Sequence, residues 1–166
     1  CIMLLKNILS SISDTYNFKQ NSNVIFLNTG DILAGKFLYE NYSDAKTLPG
    51  QAKKRIQKND MLFSEIRTAN KRFALVNVDK PQDYVVSTKL MVLRCNNPYF
   101  LTEYVYSFLT QDGILQELQT IAESRSGTFP QITFDEIKSL DIPDVPLEKQ
   151  QHIVDTVCYS SLSRIV

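Results

Sequence analysis

No excess charge of either sign marks this 166-residue sequence, because eighteen Lys and Arg meet eighteen Asp and Glu, giving a pI near 6.8. That balance excludes a histone-like or polybasic protein and gives no global sign of a polyanionic partner. Long apolar runs are missing too. The longest stretch without a charged residue, 20–30, has eleven residues, against the roughly 20 apolar residues a membrane helix requires. Residues 1–9, with Lys6 among them, do not read as a signal peptide. Cysteine is scarce: Cys1, Cys95 and Cys158 lie far apart and form no Cys-x-x-Cys pair. This excludes a disulfide scaffold and a structural zinc site and leaves the three thiols as small buried hydrophobes in a reducing cytoplasm. The single histidine, His152, excludes a His-rich metal centre. What remains is an ordinary globular composition, 43% hydrophobic and 22% charged, at a length that suits one domain with an appendage. Because it starts at Cys1 rather than Met, the chain reads as a trimmed piece of something longer.

The charge that is present is segregated. Residues 46–72 hold Lys46, Lys53, Lys54, Arg55, Lys58, Arg67, Lys71 and Arg72 against Asp60 and Glu65, a net of +6, whereas residues 95–166 come to −6. A basic middle beside an acidic end makes a dipolar surface whose basic part suits a polyanion. The plain alternative is a solvated loop with its charges facing water.

Apolar spacing at 4, 5, 8, 9 and 12 predicts a helix over residues 4–12. Residues 14–23 read as a loop, 24–27 and 32–38 as strands, and 42–54, with Pro49-Gly50, as a long irregular excursion. Residues 60–67 and 72–78 predict two strands of a hairpin with a polar, basic tip, followed by strand-like pieces at 84–86 and 89–94. Beyond Pro98 the period changes. Helices are expected at 99–110 and 113–122, a loop at 123–131, and a capping box at Thr133-Phe134-Asp135-Glu136 opening a short helix. An extended stretch at 142–146 leads into a last helix from residue 147 to 166. The fold class is therefore α+β, with a mostly β first half, a helical second half and a terminal helix. The expected division is a domain over 1–146 and a terminal helix over 147–166.

Catalytic patterns fail on inspection. Gly30-Asp31-Ile32-Leu33-Ala34-Gly35-Lys36 matches seven positions of a phosphate-binding loop, but Phe37 stands where a magnesium-binding Ser or Thr belongs. A strand bounded by glycines is the better reading. Asn97-Pro98-Tyr99-Phe100 is similar to the Asn-Pro-Pro-Tyr motif of adenine methyltransferases, but it lacks the second proline and a preceding Gly-rich turn, so it reads as the start of the next helix. His152 lies in a polar helical run with Cys158 on another face, which gives no nucleophile–base pair. The acidic residues form no EF-hand pattern. No catalytic centre, metal or cofactor is expected.

Several segments together resemble one family. They are Phe26-Leu27-Asn28-Thr29-Gly30-Asp31-Ile32 with Gly35, Leu48-Pro49-Gly50-Gln51-Ala52-Lys53-Lys54, and the run from Ile56 to Arg67. Gly127-Thr128-Phe129-Pro130-Gln131-Ile132 follows, then Ile142-Pro143-Asp144-Val145-Pro146-Leu147-Glu148-Lys149-Gln150-Gln151-His152-Ile153. Over about residues 20–155 this order resembles the target recognition domain of the specificity subunit of type I restriction-modification enzymes, with Asp144 and Val145 departing from that family's usual Pro-Leu-Pro-Pro-Leu ending.

The resemblance implies a DNA reader without chemistry of its own. Such subunits carry two recognition domains, each reading half of a bipartite target in double-stranded DNA. Long helices separate the halves and dock methyltransferase subunits, which hold S-adenosylmethionine, while a separate restriction subunit cuts. On this view residues 147–166 begin a spacer helix. Its Leu147, Val154, Val157 and Ile165 would serve methyltransferase subunits or a homodimer that restores two recognition domains by two-fold symmetry.

The residues agree with that role. The hairpin tip, with Arg67, Thr68, Asn70, Lys71 and Arg72, offers Arg for guanine and Asn for adenine. Lys53, Lys54 and Arg55 suit phosphates, and Lys19, Gln20 and Asn21, with Arg125 and Ser126, form a second rank. Each has a structural alternative: Arg67 could bond its own hairpin, the basic run could merely keep a loop soluble, and Arg125 could cap the preceding helix. The rival functions are a protein-interaction module that binds no DNA, and a nucleotide enzyme built on residues 30–36.

Overall fold

A computed structural model of the chain describes residues 1–66, 70–124 and 131–163, with side chains as far as Val157 in the last helix. In chain order the elements are β1 (Ile2–Leu4), β2 (Leu9–Ile12), β3 (Asn23–Leu27), β4 (Ile32–Leu33), β5 (Lys36–Phe37) and β6 (Tyr42–Asp44). Then come β7 (Ala52–Arg55), β8 (Met61–Ser64), β9 (Phe73–Leu75), β10 (Tyr84–Ser87) and β11 (Leu90–Cys95). The helical half holds α1 (Thr102–Leu109), α2 (Asp112–Glu123) and α3 (Phe134–Ile137), then β12 (Asp141–Pro143) and α4 (Leu147–Ser163). The α+β class holds.

The apolar runs Met61-Leu62-Phe63 and Leu90-Met91-Val92-Leu93 are buried throughout because their sheet, ordered β2-β11-β8-β9, is covered on both faces. Alternate residues part company as strand geometry requires. Leu62, Leu90 and Val92 pack with Ile25, Leu27 and Val86 of the second sheet, β6-β3-β10-β7, whereas Met61, Phe63, Met91 and Leu93 pack against the helices. The result is three layers: an outer sheet, a central sheet and a helical layer. Outside the outer sheet a thin cover of Tyr16, Phe18 and Leu48 packs on Val24 and Val85.

The most deeply enclosed carboxylate among the described residues is that of Asp60. Asp60, fully buried, accepts from Arg94 Nε at 2.7 Å and Arg94 Nη2 at 2.9 Å, and also from the Gln57 amide at 2.8 Å. The Asp60 carboxylate holds the Arg94 guanidinium above its usual pKa. The same residue's carbonyl accepts from Val76 N at 2.8 Å, so Asp60 ties the start of β8 to β9 and β11 together.

The N-terminal segment is not the expected helix. Residues 2–4 pair with β12 and residues 9–12 with β11, and a single 3-10 turn at Leu5–Asn7 lies between them. Leu5 and Ile8, three apart, both face the core through that turn, so the apolar spacing is real but its cause is not an α-helix. A helix of nine residues is marginal alone, and pairing on an open sheet edge prevails. The expected strand at 32–38 is instead a tight hairpin. Ala34 and Gly35 carry positive φ of 48° and 87°, between paired residues Leu33 and Lys36, the two-residue turn that matches strand twist. A side chain at Gly35 would also meet the Tyr106 hydroxyl at 3.1 Å. Residues 42–54, expected to be irregular, contain β6 and β7, edge strands that polar side chains disguise. The helix expected from Tyr99 begins at Thr102, because Asn97 Oδ1 caps a separate turn at Tyr99 N, 2.9 Å away. The expected capping pair forms, with Thr133 N donating to Glu136 Oε2 at 2.8 Å. Of the thiols, Cys1 is exposed at the chain's end and Cys95 is half-buried, contrary to the expectation of burial, while the Cys158 side chain lies outside the described residues.

The start of α4 is locked by Gln150, a fully buried amide with three partners. Its Oε1 accepts from Leu101 N at 2.8 Å, and its Nε2 donates to the carbonyls of Tyr99 and Val145, both at 2.9 Å. Val154 faces the core one turn on, whereas Leu147, His152 and Val157 are exposed and Ile165 lies outside the described residues.

Two outcomes follow from these buried polar groups. Asp60→Ala should destabilise the fold by about 3 kcal/mol in urea titration, because the Gln57 amide and a largely enclosed guanidinium lose their partner; Asp60→Asn, which keeps an acceptor, should cost less. Gln150→Leu should cost about 2 kcal/mol through the orphaned Leu101 amide and two carbonyls, with hydrogen exchange accelerating first in α4 and at residues 99–101.

Candidate nucleic-acid interface

The β8–β9 hairpin closes on itself and then opens into a connection. Ser64 N donates to Arg72 O at 2.9 Å, and Ser64 Oγ both donates to Ile66 O (3.0 Å) and accepts from Ile66 N (3.2 Å). Beyond it the connection meets the segment that precedes α3. Ile66 bridges Gln131, Ile132 N donates to Glu65 O at 2.7 Å, and Gln131 Nε2 donates to Glu65 Oε2 at 2.8 Å. Residues 65–66 and 131–132, far apart in sequence, therefore meet at one place.

The far side of the hairpin is braced by β4–β5. Ala34 N donates to Lys71 O at 2.7 Å and Gly35 N to Phe73 O at 2.9 Å. The amides that a phosphate-binding loop would aim at its ligand are thus spent on carbonyls, and residues 30–36 form no phosphate cradle. Arg72, half-buried, donates through Nη1 to Ile32 O at 3.1 Å and Gly30 O at 3.4 Å, so its guanidinium clamps the two hairpins together. Asn70 and Lys71 are exposed beside it. Lys71 sits at φ 59° and reaches Asp112 at 3.7 Å, an open ion pair of little energetic weight. Arg67, Thr68, Arg125 and Ser126 lie outside the described residues.

The remaining basic residues gather on β7. Lys53 is exposed, and its carbonyl accepts from Tyr16 N at 2.7 Å. The half-buried Lys54 donates Nζ to Leu90 O at 2.7 Å; burial lowers its pKa, and the nearby Glu65 partly offsets this. Arg55 is exposed, 3.7 Å from Asp14. Lys19 and Gln20 are exposed on a turn, but Asn21 Nδ2 is held by Asp83 Oδ1 at 3.1 Å. Asp83 also accepts from the Tyr42 hydroxyl at 2.8 Å, and the Tyr84 hydroxyl, driven up in pKa by burial and Glu40, donates to Glu40 at 2.9 Å. The Asp83 carboxylate thus stands against the early loop.

The structure joins β7 to the hairpin connection through the β10–β11 turn. Thr88 N donates to Gln51 O at 3.0 Å, and Glu65 N donates to Lys89 O at 3.3 Å. Lys89 is exposed on this turn, between the two groups of candidates. Sequence reasoning missed it: a lone Lys between strands carries no spacing signal, and only strand pairing places it here.

The sequence matches the family described as the type I restriction modification DNA specificity domain over residues 6–159. The chain belongs to that family. The specificity domain is 46% identical over 153 residues to the type I restriction enzyme HindI specificity subunit of Haemophilus influenzae, covering 92% of this chain and 33% of that protein. It therefore spans about a third of the length of that relative. Its fold is that of the HsdS subunit from Thermoanaerobacter tengcongensis, with a TM-score of 0.82 at 24% identity over 99% of this chain and 42% of that one. A chain from a structure of type I restriction-modification complex assembly matches with a TM-score of 0.80 at 23% identity, again over 99% of this chain and 42% of that one.

Within the specificity domain the two neighbouring cations differ in what they hold. Arg72→Ala should lower stability by about 1–2 kcal/mol, since a charge-assisted clamp is lost, whereas Lys71→Ala should stay within about 0.5 kcal/mol, both read by thermal or urea unfolding.

Proposed function

We propose that this chain is one target recognition domain of a specificity subunit. It reads one half of a bipartite target in double-stranded DNA and performs no covalent chemistry, and methyltransferase and restriction subunits act where it binds. The observation that carries this reading is the meeting of residues 65–66 with residues 131–132 beside the basic β7 strand. Hydrogen bonds at 2.7–2.9 Å hold this junction rigid, as a base-reading surface requires. Phosphate contacts then fall to Lys53, Arg55, Lys71 and Lys89, which are exposed; Lys54 and Arg72 support the surface from behind through bonds to backbone carbonyls. Base edges fall to Asn70 and to Arg67, Thr68, Arg125 and Ser126, which lie outside the described residues. Lys19, Gln20 and Asn21 rank lower, because Asp83 and its neighbours repel phosphate.

Residues 1–146 make up the recognition domain and residues 147–166 begin the spacer helix. Leu147 and Val157, exposed on α4, meet the methyltransferase subunits or the same helix of a second copy, and Val154 serves the domain's own core. Such a reader works in the cytoplasm, where its DNA lies.

Affinity for duplex DNA, measured across a salt series with the methyltransferase subunits present, tests the reading. Log K should fall with log salt by about 0.9 per phosphate neutralised, and Lys53→Ala and Lys89→Ala should each reduce the slope by about 1. Asn70→Ala should change sequence preference with the slope intact. Binding indifferent to salt, or none, would instead favour the protein-interaction module.

A further inference from the structure

Resting on the DNA-reading role, we propose that Glu65 and Gln131 form a prebuilt base-reading pair, with Gln131 taking the major-groove edge of an adenine and Glu65 as its positioning residue. The pair stands where residues 65–66 meet residues 131–132. Gln131 is exposed, Glu65 half-buried, and Gln131 Nε2 donates to Glu65 Oε2 at 2.8 Å.

A carboxylate only accepts, so it settles which end of the Gln131 amide faces it: the nitrogen does. With the N–H anti to Oε1 committed to Glu65, the syn N–H and Oε1 remain as a donor–acceptor edge on this exposed side chain. Adenine presents the complementary pattern, N7 accepting and the N6 amino group donating, and no other base offers that pair in the major groove. The backbone beneath is pinned, so the edge is presented without searching: Glu65 N donates to Lys89 O (3.3 Å), Glu65 O accepts from Ile132 N (2.7 Å), and Ile66 bridges Gln131. A carboxylate facing DNA is normally repelled by phosphate. Here the Lys54 ammonium lies close enough for Glu65 to act on its charge, and the exposed Lys89 adjoins it on the bonded turn, so local cations offset that repulsion. A mere staple between these segments would need none of this exposure, since the backbone bridge already joins them.

The test is selection from a duplex library randomised over the half-site, using the chain assembled with its methyltransferase subunits, with the salt slope measured in parallel. The wild-type assembly should enrich adenine at one position. Gln131→Ala should lose that discrimination by roughly 5- to 100-fold, the range for a bidentate contact, with the other positions and the salt slope unchanged; Glu65→Ala should weaken the same position by less. Gln131→Arg, in which a guanidinium replaces the amide against Glu65, should move the preference at that position from adenine to guanine, a gain that misfolding cannot produce. If DNA binding persists and every positional preference survives Gln131→Ala and Gln131→Arg, the pair is structural and the proposal is overturned. A wild-type assembly that enriches no sequence and binds without salt dependence would overturn the DNA-reading role itself, and this proposal with it.

Discussion

Asp60 has no solvent exposure, and its carboxylate gathers two guanidinium donors of Arg94 and the Gln57 amide within 2.9 Å. Burying that charge costs several kcal/mol, which only complete hydrogen bonding offsets. The arrangement is therefore tolerated in one geometry: β8 starting where the 57–60 turn ends, β11 alongside it, and Val76 returning to the Asp60 carbonyl. An apolar residue of similar size would leave the register of these strands to packing alone. The charged pair specifies it, because a one-residue slip would strand the carboxylate among hydrophobes.

The candidate interface hangs from that register. The β8–β9 hairpin carries the connection 65–72, and its register places Glu65 against Lys89 on one side and Ile132 on the other. The β4–β5 turn, with its positive φ at Ala34 and Gly35, supports the opposite side. Gln150 plays the matching role at the other end, joining α4 to residues 99–101 and 145, so that the direction in which the helix leaves the domain is fixed by hydrogen bonds as well as by apolar contact.

Much of this was legible beforehand. The runs at 61–63 and 90–93 are apolar throughout, and they form the buried part of the central strands β8 and β11. The Thr133–Glu136 cap and the helices after Pro98 announce themselves through local spacing. The misreadings share a cause. Residues 4–12 have helical spacing, but their backbone amides found strand partners on β11 and β12; β6 and β7 are held by backbone bonds that leave no apolar signature. At the candidate interface, Asn70 and Lys71, expected at a polar tip, are exposed. Arg72, expected to read bases, has its guanidinium on the carbonyls of Gly30 and Ile32, because a neighbouring hairpin invisible in the local sequence brings those acceptors within reach. Glu65, Lys89 and Gln131 were not among the expected site residues, although Glu65 and Gln131 belong to segments that carry the family resemblance.

The sequence alone determined where apolar surface would be buried, which segments would be helical in the second half, that positive charge would concentrate in the middle of the chain, and to which family the order of segments belongs. These are properties of composition and short-range period, and burial enforces them wherever a segment ends up. Only the tertiary structure decided which distant segments meet, which cations remain free and which are consumed as clamps, and that an exposed amide would meet a carboxylate 66 residues away. Those outcomes depend on hydrogen bonds between backbone segments far apart in the chain. Every residue offers the same amide and carbonyl, so such pairing leaves no mark in the sequence that names its partner.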